Sequence, residues 1–160
     1  DLMEALAPVF AALRTIDRTA ADAASRLSDV LPLDGPLLTS LRSQLRDALD
    51  SGAVCDREAA GVRFSRLARP DDPRADGLSV DVVHMAGPGP GHTHPNGEID
   101  LCFGVTGDPR FDGRPPGWTV YGPGSWHVPT VTGGSMDILY FLPGGAIAFG
   151  PRPSESPAEG

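Results

Sequence analysis

Three histidines and a glutamate carry the chemistry of this 160-residue chain. His92 and His94 stand one residue apart, so on an extended strand both side chains project to the same side. Glu98 lies four residues beyond His94, and His127 follows the turn Gly122-Pro123-Gly124. Imidazole plus carboxylate suits a divalent ion such as Fe(II), Mn, Zn, Ni or Cu. The lack of thiolates in the set argues against a structural zinc knot. One transition-metal ion held by His92, His94, Glu98 and His127 is therefore the first expectation, with Fe(II) the leading ion.

The strand that begins at Glu98 sharpens this. Ile99, Leu101, Phe103 and Val105 fall on one apolar face, whereas Glu98, Asp100, Cys102 and Gly104 fall on the other. If Glu98 points at a metal, Asp100 and Cys102 enter the same cavity. Asp100 then either orients a histidine ligand or moves protons. His84 shares its strand face with Val80 and Val82, and reads equally as a core-edge histidine or a catalytic one. Arg66 shares a face with Val62 and Phe64. A guanidinium placed there is either a clamp for a substrate carboxylate or the partner of a protein acid. Tyr140, beside Met136, Ile138 and Leu142, reads as core with a polar tip. Trp118, Tyr121 and Trp126 flank the third histidine and are placed to wall an aromatic pocket, although packing explains each alone.

These residues need a scaffold, and the apolar periodicity describes one. Leu37, Leu38, Leu41, Leu45, Ala48 and Leu49 recur at helical spacing between Gly35-Pro36 and Ser51-Gly52. Ala20 to Val30 predicts a second helix. Leu2, Leu6, Phe10 and Leu13 form a weaker stripe interrupted by Pro8. From Val62 the period becomes two. Strands are predicted from Gly61 to Leu67, Leu78 to Met85, Glu98 to Val105, Trp118 to Tyr121, His127 to Val131 and Met136 to Leu142, with a short one at Ala146 to Phe149. Many of the 20 glycines and 17 prolines fall between these runs, as turns do. The pattern predicts a helical segment over 1–60, an antiparallel β domain over 61–149, and a tail over 150–160 without apolar periodicity.

Bulk composition narrows the partners. A formal charge of −8 disfavours nucleic acid and anionic membranes. Any anionic substrate must be met by a local arginine against that field. Two cysteines, Cys55 and Cys102, make no disulfide framework. No apolar run approaches membrane-spanning length and no leader pattern opens the chain, so a cytoplasmic location is expected.

The metal motifs resemble those of the cupin superfamily. Gly91-His92-Thr93-His94-Pro95-Asn96-Gly97-Glu98 is similar to its first motif, and Gly124 with His127 to its second. Gly122 stands where that second motif usually has proline, but no ligand is lost. Longer strings resemble the 4-hydroxylaminobenzoate lyase family more closely. They are Gly91 to Phe103, Pro123 to Val131, Leu139 to Ile147 and Arg63 to Leu67, and the similarity extends into the helical part. The resemblance implies a cupin-type antiparallel β-barrel (jelly roll), mainly β, with the helical segment packed on it and a homodimeric state.

It also implies a metal-dependent lyase that converts 4-hydroxylaminobenzoate and water to 3,4-dihydroxybenzoate and ammonia. In such a reaction the metal is expected to act as a Lewis acid. Asp100 or His84 would move protons, Arg66 would hold the carboxylate of the small aromatic substrate, and Tyr140 and Trp126 would contact it. Two alternatives stand beside this. One is an Fe(II) cupin dioxygenase on a small aromatic substrate, although thiol dioxygenases of this kind lack the glutamate. The other is a non-enzymatic cupin that binds a small ligand.

Overall fold

The computed structural model describes residues 1–153. Four helices come first: α1 (Leu2–Ala5), α2 (Ala7–Thr15), α3 (Ala23–Val30) and α4 (Pro36–Asp50). Pro8 sits in the first turn of α2, where an absent N–H costs nothing, so it separates α1 from α2 without breaking a helix. α4 starts on Pro36 and is followed by Gly52 in the left-handed region, with φ of 78°. Its stripe Leu38, Leu41, Leu45 and Leu49 is fully buried.

Nine strands follow: β1 (Arg57–Ala59), β2 (Val62–Ala68), β3 (Leu78–Met85), β4 (His92–His94), β5 (Glu98–Phe111), β6 (Gly117–Tyr121), β7 (Ser125–His127), β8 (Val131–Pro143) and β9 (Ala148–Phe149). They form a six-stranded sheet, in the order β1-β2-β3-β8-β5-β6, and a three-stranded sheet, β7-β4-β9. Every pairing is antiparallel. The fold is mainly β, with a jelly-roll arrangement and an N-terminal helical layer. Among the described residues the hydrogen-bonded ladders stop at these two sheets, so the expected barrel is not closed by a continuous ladder.

Several boundaries differ from the periodicity. β1 begins at Arg57, inside the 1–60 stretch expected to be helical; a three-residue edge strand is too short to show a period. The strand expected over His127 to Val131 is split, because Pro129 lacks the N–H a ladder needs. β7 ends at His127 and β8 starts at Val131, while Gly89 N–H donates to Pro129 O at 2.7 Å and ties the Gly87 to Gly91 loop there. Residues 154–160 of the expected tail lie outside the described residues.

The large sheet has two apolar faces with different tasks. Val80, Val82, Ile99, Leu101, Phe103, Leu139 and Phe141 pack with the helices. Val83, Met85, Cys102, Met136, Ile138 and Tyr140 form a second cluster on the opposite face, towards the smaller sheet. Strand alternation makes that division. It also sets the direction of the polar side chains on these strands.

Candidate metal centre

β4 and β7 lie side by side in register, with His92 opposite His127 and His94 opposite Ser125. All three imidazoles therefore leave the small sheet on its inner side. Gly97, at φ +90°, makes the turn that brings the chain back to Glu98, and a Cβ there would lie 3.0 Å from Tyr121 O. One donor atom from each of His92, His94, Glu98 and His127 lies within 4.8 Å of the others. His92, His94 and Glu98 are buried to within about 1%.

Hydrogen bonds fix which nitrogen of each ring faces inward. His92 Nδ1 lies 3.2 Å from Pro90 O, so it is the protonated nitrogen. Ser125 Oγ donates to Gly122 O at 2.6 Å, which leaves a lone pair to accept from His94 Nδ1 at 2.9 Å. His127 Nδ1 meets Asp112 Oδ2 at 2.6 Å. With each Nδ1 donating, each Nε2 presents a lone pair to the centre. His92 Nε2 and His127 Nε2 are only 3.1 Å apart. Two bare nitrogens at that separation repel, so a positive species, a proton or a cation, belongs between them. His94 Nε2 and Glu98 Oε2 are buried and have no hydrogen-bond partner among the described residues. Orphaned acceptors converging on one point fit a divalent cation of the imidazole-and-carboxylate class.

The electrostatics agree. Burial works against the Glu98 charge, but the Nε2 atoms of His127, His92 and His94, 3.2 to 3.6 Å from its oxygens, outweigh it where they carry a proton in place of a cation, and hold the carboxyl well below its ordinary range. Burial likewise opposes a charged His127, while the acceptors Asp112 and Glu98 raise the ring to about 9. Asp100 behaves in the opposite way. Burial, then the neighbouring Glu98 charge, push it well above the carboxylate range, which favours its protonated form. Neither of its oxygens has a hydrogen-bond partner among the described residues.

Asp112 is the neighbour of the cluster that the spacing did not disclose. It follows β5 in an Asp-Gly turn at φ +50°, a conformation aspartate tolerates. Its carboxylate accepts from His127, from Thr130 N–H at 2.9 Å and from the Tyr121 hydroxyl. Tyr121 in turn stacks on His94, with ring centroids 5.3 Å apart. The Asp-Gly pair marks a hairpin tip in sequence, but nothing in one sequence says which histidine it meets.

Beside the cluster lies a cavity of about 470 Å³, reached at His92 and walled by Phe64, Val83, Met85, Tyr140 and Phe149. Arg66 lines it, paired with Asp81 through Nε at 2.8 Å and Nη2 at 3.2 Å. Tyr140 lines it too, its hydroxyl 3.6 Å from Met85 Sδ.

Two further candidates lie apart from the cluster. His84 faces the helices with Val80 and Val82, and its Nδ1 meets Asp137 at 2.7 Å, an acid also held by Arg46 of α4. It is placed as a packing histidine and does not join the cluster. Trp126 lies between the inward Ser125 and His127, so alternation turns it to the outer side of the small sheet. There it donates to Gly150 O at 3.0 Å and carries Arg152 over its ring, outside the cavity lining.

Two facing antiparallel sheets with three histidines and a glutamate turned inward define a protein of the cupin class. Residues 6–149 match the family model for 4-hydroxylaminobenzoate lyase (PnbB). The chain belongs to that family. A 4-hydroxylaminobenzoate lyase from Nocardioides sp. (strain LMS-CY) is 29% identical over 170 residues, covering 99% of this chain and 97% of its own. Another, from Pseudomonas putida, is 27% identical over 121 residues, covering 64% and 68%. Among solved structures, an RmlC-like cupin protein from Ralstonia eutropha JMP134 is similar at a TM-score of 0.42 and 16% identity, covering 60% of this chain and 64% of that one.

Proposed function

We propose that this protein is a metal-dependent lyase acting on 4-hydroxylaminobenzoate or a similar hydroxylamino-aromatic acid. Substrate and water give 3,4-dihydroxybenzoate and ammonia, a balance that needs no external oxidant. The observation that carries the reading is a buried set of unpartnered acceptors beside an apolar, ring-sized cavity that has arginine in its wall. Family membership supports the same substrate class.

A cation bound by His92, His94, Glu98 and His127 would supply Lewis acidity for the departing hydroxyl of the hydroxylamine. The chain's own groups do the remaining work. Asp112, Ser125 and the Pro90 carbonyl hold the three rings in one tautomer and orientation. Asp100, whose protonated form burial and the Glu98 charge favour, would offer a proton at a carboxyl oxygen inside the site. Phe64, Val83, Met85 and Tyr140 exclude water from the ring. Arg66, held rigid by Asp81, presents its remaining N–H groups at the wall for the carboxylate.

The test is an anaerobic assay of metal-loaded protein with 4-hydroxylaminobenzoate and identification of both products. Ammonia and 3,4-dihydroxybenzoate are expected in equal amounts, with loss on chelation and recovery on adding metal. Turnover only in the presence of oxygen would end this reading and favour a dioxygenase.

A further inference from the structure

The charge that captures a substrate carboxylate in this cavity has to come from somewhere, and Arg66 does not supply it. Its bidentate pairing with Asp81 leaves the pair with no net charge. The chain as a whole carries −8, which repels an approaching anion. Only one other cationic side chain lines the cavity among the described residues, and that is Arg57. It makes no ion pair or side-chain hydrogen bond with any described residue.

Register shows how Arg57 stands to the chemistry. Arg57 is opposite Phe64 on β2, Phe64 is opposite Val83 on β3, and Val83 is opposite Ile138 on β8. The adjacent row on the same face runs Arg66, Asp81, Tyr140, Asp100. A flat ring laid across Phe64, Val83 and Tyr140 therefore has arginines at one end and the acid-and-histidine cluster at the other. β1 and β5 are four strand spacings apart, about 19 Å along the sheet, a span divided between the Arg57 side chain, a substituted benzene ring and the inward reach of the cluster.

We propose that Arg57, on the edge strand β1, supplies the charge that binds the carboxylate of an aromatic acid in this cavity, with the Arg66–Asp81 pair a fixed, neutral hydrogen-bond donor beside it. The assignment rests on the reading of the cavity as an aromatic-acid site, and it sets substrate specificity. Because Arg57 is exposed on a short edge strand, its replacement removes charge without opening the core.

The experiment measures equilibrium binding of benzoate and of its neutral isostere benzamide to the full chain, by calorimetry, for wild type, R57A, R57K and R66A. Loss of a charge-assisted contact weakens binding about tenfold or more. R57A should lose that much affinity for benzoate and none for benzamide, with R57K recovering most of it. Raising the salt concentration should weaken benzoate binding to wild type and leave R57A indifferent. In turnover R57A should raise KM far more than it lowers kcat. Unchanged benzoate affinity in R57A, or an equal loss for benzamide, overturns the proposal. If wild type binds benzoate through Arg57 yet does not turn over 4-hydroxylaminobenzoate, the lyase reading fails and this one stands. Turnover with no effect of R57A is the reverse result.

Discussion

Each histidine of the cluster points its Nε2 inward because an acceptor holds its Nδ1, and the acceptors differ in strength. Pro90 offers a carbonyl, Ser125 a hydroxyl, and Asp112 a carboxylate. Burial disfavours the Asp112 charge, but bonds from His127, Tyr121 and the Thr130 N–H outweigh it and lower the carboxyl below its usual range. D112N should therefore weaken metal affinity by about 10- to 100-fold, measured by competition with a chelator. Affinity equal to wild type would remove Asp112 from the site. A second residue-scale consequence concerns Cys55. Burial pushes its thiol from 9.0 to about 12. The unfolded thiol ionises first as pH rises, so the stability linked to this group is complete below pH 9 and is lost between there and about pH 12. Native Cys55 should resist thiol reagents at pH 8 and react on unfolding; rapid labelling of the folded chain would contradict its burial.

At the scale of elements, alternation along short strands explains both what sequence discloses and what it hides. Glu98, Asp100 and Cys102 count off at a period of two on an unbroken stretch of β5, so their shared direction was legible beforehand. The same count from His127 places Trp126 on the opposite face, and from Val82 it places His84 among the helices. Asp112 is different. β5 shifts register against β8 between Gly104 and Thr106 and again between Gly107 and Arg110. Each shift upsets the parity count, so a reading from Glu98 cannot arrive at Asp112 with its direction known. Likewise Arg57 sits on a three-residue strand with no period to read. The helices were legible from their stripes, but their attachment was not. Arg46 reaches from α4 to Asp137, which is 3% exposed and also meets His84. Removing the cation leaves a buried acid with one partner, so R46M should cost about 1–3 kcal/mol in denaturant unfolding while metal affinity stays unchanged. A parallel loss of metal binding would mean that the two faces of the sheet are coupled.

The described residues form a helical layer, a six-stranded sheet and a three-stranded sheet, with the helices packed on one side of the large sheet and the candidate metal cluster on the other. The division of ligands between the sheets matters here. His92, His94 and His127 belong to the small sheet and Glu98 opens a strand of the large one. An ion held by all four is thus a rivet between two bodies that share no ladder. The small sheet, with strands of three, three and two residues, has little else to hold it. Ion at a hundred times its dissociation constant should stabilise the fold by about 2.7 kcal/mol. Chelation should lower Tm and speed amide exchange in β4, β7 and β9 well before β3, β5 and β8. Uniform exchange across both sheets after chelation would show that the rivet bears no load. If it does bear load, the metal content of a cell sets the lifetime of this protein as well as its rate.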